Sequence, residues 1–169
     1  MNRLRSVLLF LSITFFLGGC GDPSGGCQAG WAPPGDQLLG NPAPNFALAN
    51  LAGEKVELAS VVNEKPVLLV FWATWCPSCV EEVPILNEWQ EKYPGLQILG
   101  VNVEESLERV QSFAETYQVR YPLLLDSDAA VTRDYGLVGI PATVLVSKGG
   151  RVLYYGFSLP KNIEQLIES

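Results

Sequence analysis

The sequence predicts an α/β domain of three layers, on three observations. Two continuous apolar runs, Val67 to Trp72 and Leu96 to Val103, have the pattern of strands buried on both faces. The segment between them places its apolar residues at helical spacing. Helix and strand patterns alternate again beyond them, and the chain closes on a hairpin and a last helix, an order that puts helices on both sides of one sheet.

Taken in order, Phe46-Ala47-Leu48 and Val56-Glu57-Leu58 flank Ala52-Gly53-Glu54-Lys55, which predicts an opening β-hairpin. After the first buried strand, Pro77 to Tyr93 reads as a helix, with Val80, Val83, Leu86 and Trp89 toward one side and Pro94-Gly95 as its stop. Ser106 to Tyr117 repeats Leu107, Val110, Phe113 and Ala114 at the period of an amphipathic helix. Tyr121 to Leu125 is a short strand, and Asp128 to Tyr135 a short helix with Asp126 or Ser127 as its cap. Ala142 to Val146 and Val152 to Tyr155 pair around Lys148-Gly149-Gly150. A final helix starts at Pro160 or Lys161.

Ahead of this body the chain has a different character. Arg3 and Arg5 precede the apolar stretch Val7 to Leu17, and Leu17-Gly18-Gly19-Cys20 follows, so residues 1–19 read as a secretory signal. The apolar run is short against the about 20 residues of a transmembrane helix. Leu-Gly-Gly-Cys is similar to the bacterial lipobox, which makes Cys20 the expected lipid attachment point and the body an extracytoplasmic, membrane-anchored one. Residues 20–45 are rich in Gly and Pro and read as a flexible tether spanning on the order of 25–30 Å, with the domain proper at 46–169. Cys27 falls in the tether, as a plain thiol or an accessory disulfide partner.

Composition removes several classes of function. Among 169 residues, 48% are hydrophobic, enough for a sizeable core. The net charge of −7, from 18 acidic and 11 basic residues, argues against nucleic acid as a partner. Histidine is absent, which excludes Ser-His-Asp and Cys-His catalysis and leaves the four cysteines and the carboxylates to carry chemistry. No metal site is expected: a single CxxC without histidine or a second CxxC is half of a zinc set.

Trp75-Cys76-Pro77-Ser78-Cys79 lies where a buried strand gives way to a helix. Unpaired N–H groups and the positive end of the macrodipole favour a thiolate there, and such cysteines have pKa values lowered to roughly 3.5–7.5. Pro77 suits the first turn because its missing N–H would have had no partner. A pair one turn apart opens and closes readily, whereas a structural disulfide gains most by closing a long loop. Cys76 is therefore the expected attacking thiolate and Cys79 the resolver, with no cofactor beyond the Cys76–Cys79 dithiol.

Residues about 42 to 169 resemble the TlpA/ResA-like branch of the thioredoxin superfamily, close to the redoxins and peroxiredoxins. The matching stretches are Pro42-Ala43-Pro44-Asn45-Phe46, Phe71 through Cys79, Gly100-Val101-Asn102-Val103, Tyr121 through Asp126 and Gly139-Ile140-Pro141-Ala142-Thr143. The resemblance implies a thioredoxin fold with a helix–strand insertion at about Ser106 to Asp126. It implies that Pro141 is a cis-proline beside the cysteines, with the Ile140 backbone open to a substrate strand and Trp75 lining the substrate face. It implies that Glu82, three residues past Cys79 on the same helical stripe, takes a proton during resolution; Glu81 reads as a solvated helix-start carboxylate. Many thioredoxins carry a buried Asp six residues before the first cysteine, where this chain has Val70, so the proton role shifts to Glu82.

The activity implied is disulfide reduction on envelope proteins, which in this family range as far as apocytochrome c, by a monomer drawing electrons from a membrane thiol donor. A thiol peroxidase is the nearest alternative, but its Pro-x-x-x-Thr-x-x-Cys pattern is missing, with Thr74 two residues before Cys76 rather than three. A metallochaperone or an adaptor lipoprotein is the non-enzymatic alternative.

Overall fold

The computed structural model describes residues 37–168. A seven-stranded sheet runs in the order β2-β1-β5-β4-β3-β6-β7. Its strands are β1 (Ala47–Asn50), β2 (Lys55–Glu57), β3 (Val67–Trp72), β4 (Gln97–Val103), β5 (Leu123–Asp126), β6 (Ala142–Val146) and β7 (Val152–Gly156). The helices are α1 (Leu58–Val62), α2 (Pro77–Lys92), α3 (Leu107–Thr116), α4 (Ala130–Asp134) and α5 (Ile163–Ile167). β3, β4 and β5 are parallel, while β6 is antiparallel to β3, β7 to β6, and β1 to both β5 and β2.

All six residues of β3 are buried, because its side chains alternate between two cores. Val67, Leu69 and Phe71 join Leu99, Val101, Val144 and Tyr135 on one face, covered by α1 and α4. Leu68, Val70 and Trp72 join Ile98, Leu123 and Leu145 on the other, covered by α2, α3 and α5 through Val83, Leu86, Val110, Phe113 and Ile163. Burial of each such Leu or Val side chain contributes about 1.5–3 kcal/mol. This is the expected three-layer arrangement, with the insertion appearing as α3 and β5.

Close approach in the second core leaves no room at Gly100 of β4. A Cβ there would stand 2.6 Å from a Leu123 methyl, 3.0 Å from the Tyr121 ring and 3.1 Å from Trp72 Nε1. α2 runs through Pro84, which has no N–H for the Val80 carbonyl. The buried stripe of Cys79, Val83 and Leu86 holds the helix to the sheet on either side of that gap.

Three expectations are corrected. Leu58 does not extend the opening hairpin: it begins α1 and is buried, with its N–H donating to the Phe46 carbonyl at 3.1 Å. The residue capping α4 by position is Ala129, whose backbone is left-handed at φ 55°. Asp126 nevertheless serves that helix from a distance, accepting from the N–H groups of Val131 and Thr132 and from the Thr132 hydroxyl. The third correction concerns the tether boundary at residue 45. Leu38 is buried in the first core, the Gly40 N–H donates to the Val152 carbonyl and the Ala43 N–H to Gly150, so this stretch lies along the β6–β7 turn. The signal segment, Cys20, Cys27 and the rest of the tether lie outside the described residues. Among the described residues no helix is long and apolar enough to cross a membrane.

Candidate active site

The chain leaves β3 at Trp72, turns through Ala73-Thr74-Trp75 and enters α2 at Pro77. Cys76 is the N-cap residue, in extended conformation, and its Sγ accepts the Cys79 N–H at 3.3 Å. Cys76 and Cys79 are bonded to each other across the first helical turn, S–S 2.15 Å and Cα–Cα 5.3 Å. The Ser78 hydroxyl stands 3.5 Å from Cys76 Sγ. In the disulfide both cysteines are buried, Cys79 at 3% and Cys76 at 4% exposure. A reacting sulfur must therefore be met by a partner pressed against the surface around it.

That surface is apolar. Trp75, next to Cys76, is 64% exposed. Ala142 pairs with Phe71, which brings Pro141 beside the same end of β3, and the Ile140–Pro141 bond is cis. Ile140 is partly buried against the core cluster that contains both cysteines. The β3 end, the cis-proline loop and the helix start thus gather Trp75, Cys76, Cys79, Ile140 and Pro141 at one pole of the sheet.

Glu82 lies one turn beyond Cys79 on α2. Its Oε2 is buried with no hydrogen-bond partner among the described residues. Burial drives its carboxyl up to about 7, against the opposing pull of a backbone hydrogen bond from Leu159. The negative charge of Glu82 in turn reinforces the burial that raises the Tyr121 hydroxyl above the ordinary tyrosine range. A carboxyl that changes protonation near neutrality, on the helical stripe of Cys79, is suited to accept a proton.

A second carboxylate escaped sequence reasoning. Glu105, between β4 and α3, is buried at 8% exposure. Its Oε2 accepts from the Thr74 N–H at 2.7 Å and from Asn102 Nδ2 at 2.8 Å, and its Oε1 accepts from the Thr74 hydroxyl at 2.6 Å. Arg109 Nε approaches Oε1 to 3.3 Å. Burial alone would raise this carboxyl; the bonds from Thr74 and Asn102 and the Arg109 charge outweigh it and hold the group below the ordinary glutamate range. Among the described residues no cluster of three or more His, Cys, Asp or Glu residues is placed to hold a metal.

The fold and the cysteine pair define a class, the thioredoxin-fold thiol–disulfide oxidoreductases. Residues 39–155 match the AhpC/TSA family, and the chain belongs to it. It is 36% identical over 135 residues to the thiol-disulfide oxidoreductase ResA of Geobacillus thermodenitrificans, covering 78% of this chain and 77% of that one. Among solved structures, a Chlorobium tepidum protein assigned as the thiol:disulfide interchange protein DsbE superposes with a TM-score of 0.70 at 30% identity, over 77% of this chain and 95% of the other. A secreted Mycobacterium tuberculosis disulfide oxidoreductase homologous to Escherichia coli DsbE does so with a TM-score of 0.63 at 25% identity, over 73% of this chain and 94% of that one. The chain is accordingly a thiol–disulfide oxidoreductase of the ResA/DsbE type.

Proposed function

We propose that this oxidoreductase works outside the cytoplasm, tethered to a membrane by a lipid on Cys20, and reduces disulfides of envelope proteins such as apocytochrome c. The observation that carries the catalytic part is the Cys76–Cys79 bond across the first turn of α2, beside the half-buried Glu82. In the reduced enzyme the Cys76 thiolate attacks one sulfur of a substrate disulfide, and the other substrate sulfur leaves as a thiolate. Cys79 then loses its proton to Glu82 and attacks Cys76 Sγ, which releases the second substrate sulfur and restores the Cys76–Cys79 bond. Two electrons pass to the substrate, so the enzyme bond must be reduced again by a thiol donor, which we place in the membrane. Trp75, Ile140 and Pro141 form the surface on which the substrate chain docks, and no cofactor other than the dithiol takes part.

Support for the location comes from the signal-like residues 1–19, the lipobox-like Leu17-Gly18-Gly19-Cys20 and the secreted relative. Reduction is favoured over oxidation because an exported pair is held as the disulfide unless electrons are supplied, and a tether raises its effective concentration near a membrane donor. The reading has the domain acting as a monomer. The test is reduction of insulin by the dithiol form, together with trapping by Cys79→Ser. Wild type should reduce insulin, and the variant should accumulate mixed disulfides through Cys76 with exported proteins. Failure to reduce insulin, or trapping that persists in Cys76→Ser Cys79→Ser, overturns it.

A further inference from the structure

We propose that Glu105 is a positioning residue for the exchange reaction, gripping Thr74 so that the loop entering α2 holds Cys76 in its N-cap geometry. Four observations support this. The Ala73–Trp75 segment joins a fully buried strand to Cys76 and the helix that Cys76 caps, so its conformation sets where Cys76 Sγ sits. Among the described residues, both side-chain hydrogen bonds to that segment end on Glu105, one from the Thr74 main chain and one from its hydroxyl. The bonds are short, at 2.7 and 2.6 Å, as expected for an ionised acceptor. Glu105 is itself fixed from below by Asn102, which lies opposite Trp72 in the β3–β4 register, and from outside by Arg109.

The chain is shaped to deliver this carboxylate. Glu104 adopts the left-handed conformation, φ 56°, with its N–H on the Asp126 carbonyl at 3.1 Å. The kink turns the next residue beneath the Thr74 loop, while Ser106 caps α3. A carboxylate placed only to favour the α3 N-terminus would have no reason to reach across to Thr74 in the loop after β3.

Gripping and charge act in opposite directions on Cys76, which makes the proposal testable. An anion near Cys76 disfavours its thiolate, so loss of charge alone would increase the thiolate fraction. Loss of the grip loosens the N-cap that stabilises the thiolate and decreases it. The inference rests on Cys76 being the reacting thiol, and its test separates the two questions. In the reduced full-length protein, the rate of Cys76 alkylation is followed against pH for wild type, Glu105→Ala, Glu105→Gln, Thr74→Val and Thr74→Ser, with insulin reduction measured alongside. Folded fractions are matched by circular dichroism.

Glu105→Ala and Thr74→Val should each shift the profile upward, giving about tenfold less thiolate at a given pH below the midpoint, which corresponds to one unit. Insulin reduction should fall by about tenfold or more, the sensitivity expected of a misplaced reacting group. Glu105→Gln, which keeps an acceptor for the Thr74 N–H, and Thr74→Ser should restore most of the rate. The double variant Glu105→Ala Thr74→Val should be no worse than the worse single one, since both break one linkage. Profiles that are unchanged, that shift downward in Glu105→Ala, or that shift equally in Glu105→Gln would overturn the positioning role. If wild type itself fails to reduce insulin, the functional reading fails and not this one.

Discussion

At Cys76 the backbone does what a basic side chain does in other reactive thiols. Its Sγ accepts the Cys79 N–H at the start of α2, and the same contact serves a thiolate once the disulfide is opened. In the reduced protein Cys76 should therefore alkylate faster than Cys79 at mildly acidic pH; competitive labelling followed by peptide mass spectrometry checks this, and equal labelling, or faster labelling of Cys79, would overturn the assignment. Glu82 yields a prediction of opposite electrostatic character. Between the ordinary glutamate range and about 7 the folded protein keeps a proton that the unfolded chain releases, so wild-type stability falls as pH rises through that window. Glu82→Gln removes this dependence. In the oxidised protein its Tm should gain on wild type from about pH 5 to about pH 8, and release of a mixed disulfide should slow while the first alkylation of Cys76 is spared. A Tm difference that stays constant with pH would make Glu82 a solvated carboxylate. The placement of both cysteines and Glu82 was legible in the sequence because it follows from their spacing along the start of one helix. Glu105 was not: Glu104-Glu105-Ser106 reads as acid at a helix start, and only the left-handed backbone at Glu104 separates the solvated acid from the buried one.

Among the elements, β3 and α2 were the most legible. The apolar run Val67–Trp72 is bounded by Pro66 and by polar Thr74, and the strand occupies it end to end. α2 kept its helical pattern strongly enough to run through Pro84. The short elements were less so. α1 has five residues, too few for a periodicity to show, and Leu58 fits a strand as well as a helix until its burial against Phe46 is seen. Gly100 in β4 makes a prediction at this scale. Gly100→Ala drives a methyl into Leu123, Tyr121 and Trp72, whose positions are fixed by the second core, and should destabilise the protein by about 1–3 kcal/mol, read as a lowered urea midpoint with an unchanged slope. A midpoint equal to that of wild type would mean that β4 and β5 slide apart more easily than their packing implies.

For the whole molecule, the proposed attachment to a membrane and the proposed direction of electron flow belong together. Cys20→Ser should move the protein from the membrane fraction to the soluble one; an unchanged distribution would make the apolar stretch Val7 to Leu17 the anchor. Thiol trapping in growing cells should find Cys76 and Cys79 partly reduced, and fully oxidised once a candidate membrane donor is deleted. A pair that is disulfide-bonded in both strains would assign an oxidase role. The boundary of the domain was the least legible large-scale feature, because Gly and Pro suit both a free linker and an extended strip laid along a sheet edge. Here Pro42 bridges to Arg151, whose guanidinium donates to the Gly40 carbonyl, and the strip is pinned.

On the proposed function, where that strip is pinned decides how the enzyme would face a client and a membrane donor. Val146 pairs with Val67 at the start of β3, whereas Ala142 pairs with Phe71 near its end, so the β6–β7 turn and the disulfide occupy opposite poles of the sheet. The chain therefore enters the domain on the side away from Cys76. On the lipid-anchored reading, an upright head would aim its disulfide outward, toward soluble clients, and its blind pole at the bilayer. On that reading, recharging from a bilayer-embedded donor would require the head to turn over, within the reach of the stretch between Cys20 and residue 37. Lengthening that stretch should quicken reduction of the pair by its donor, while shortening it should leave the enzyme able to meet clients yet starved of electrons.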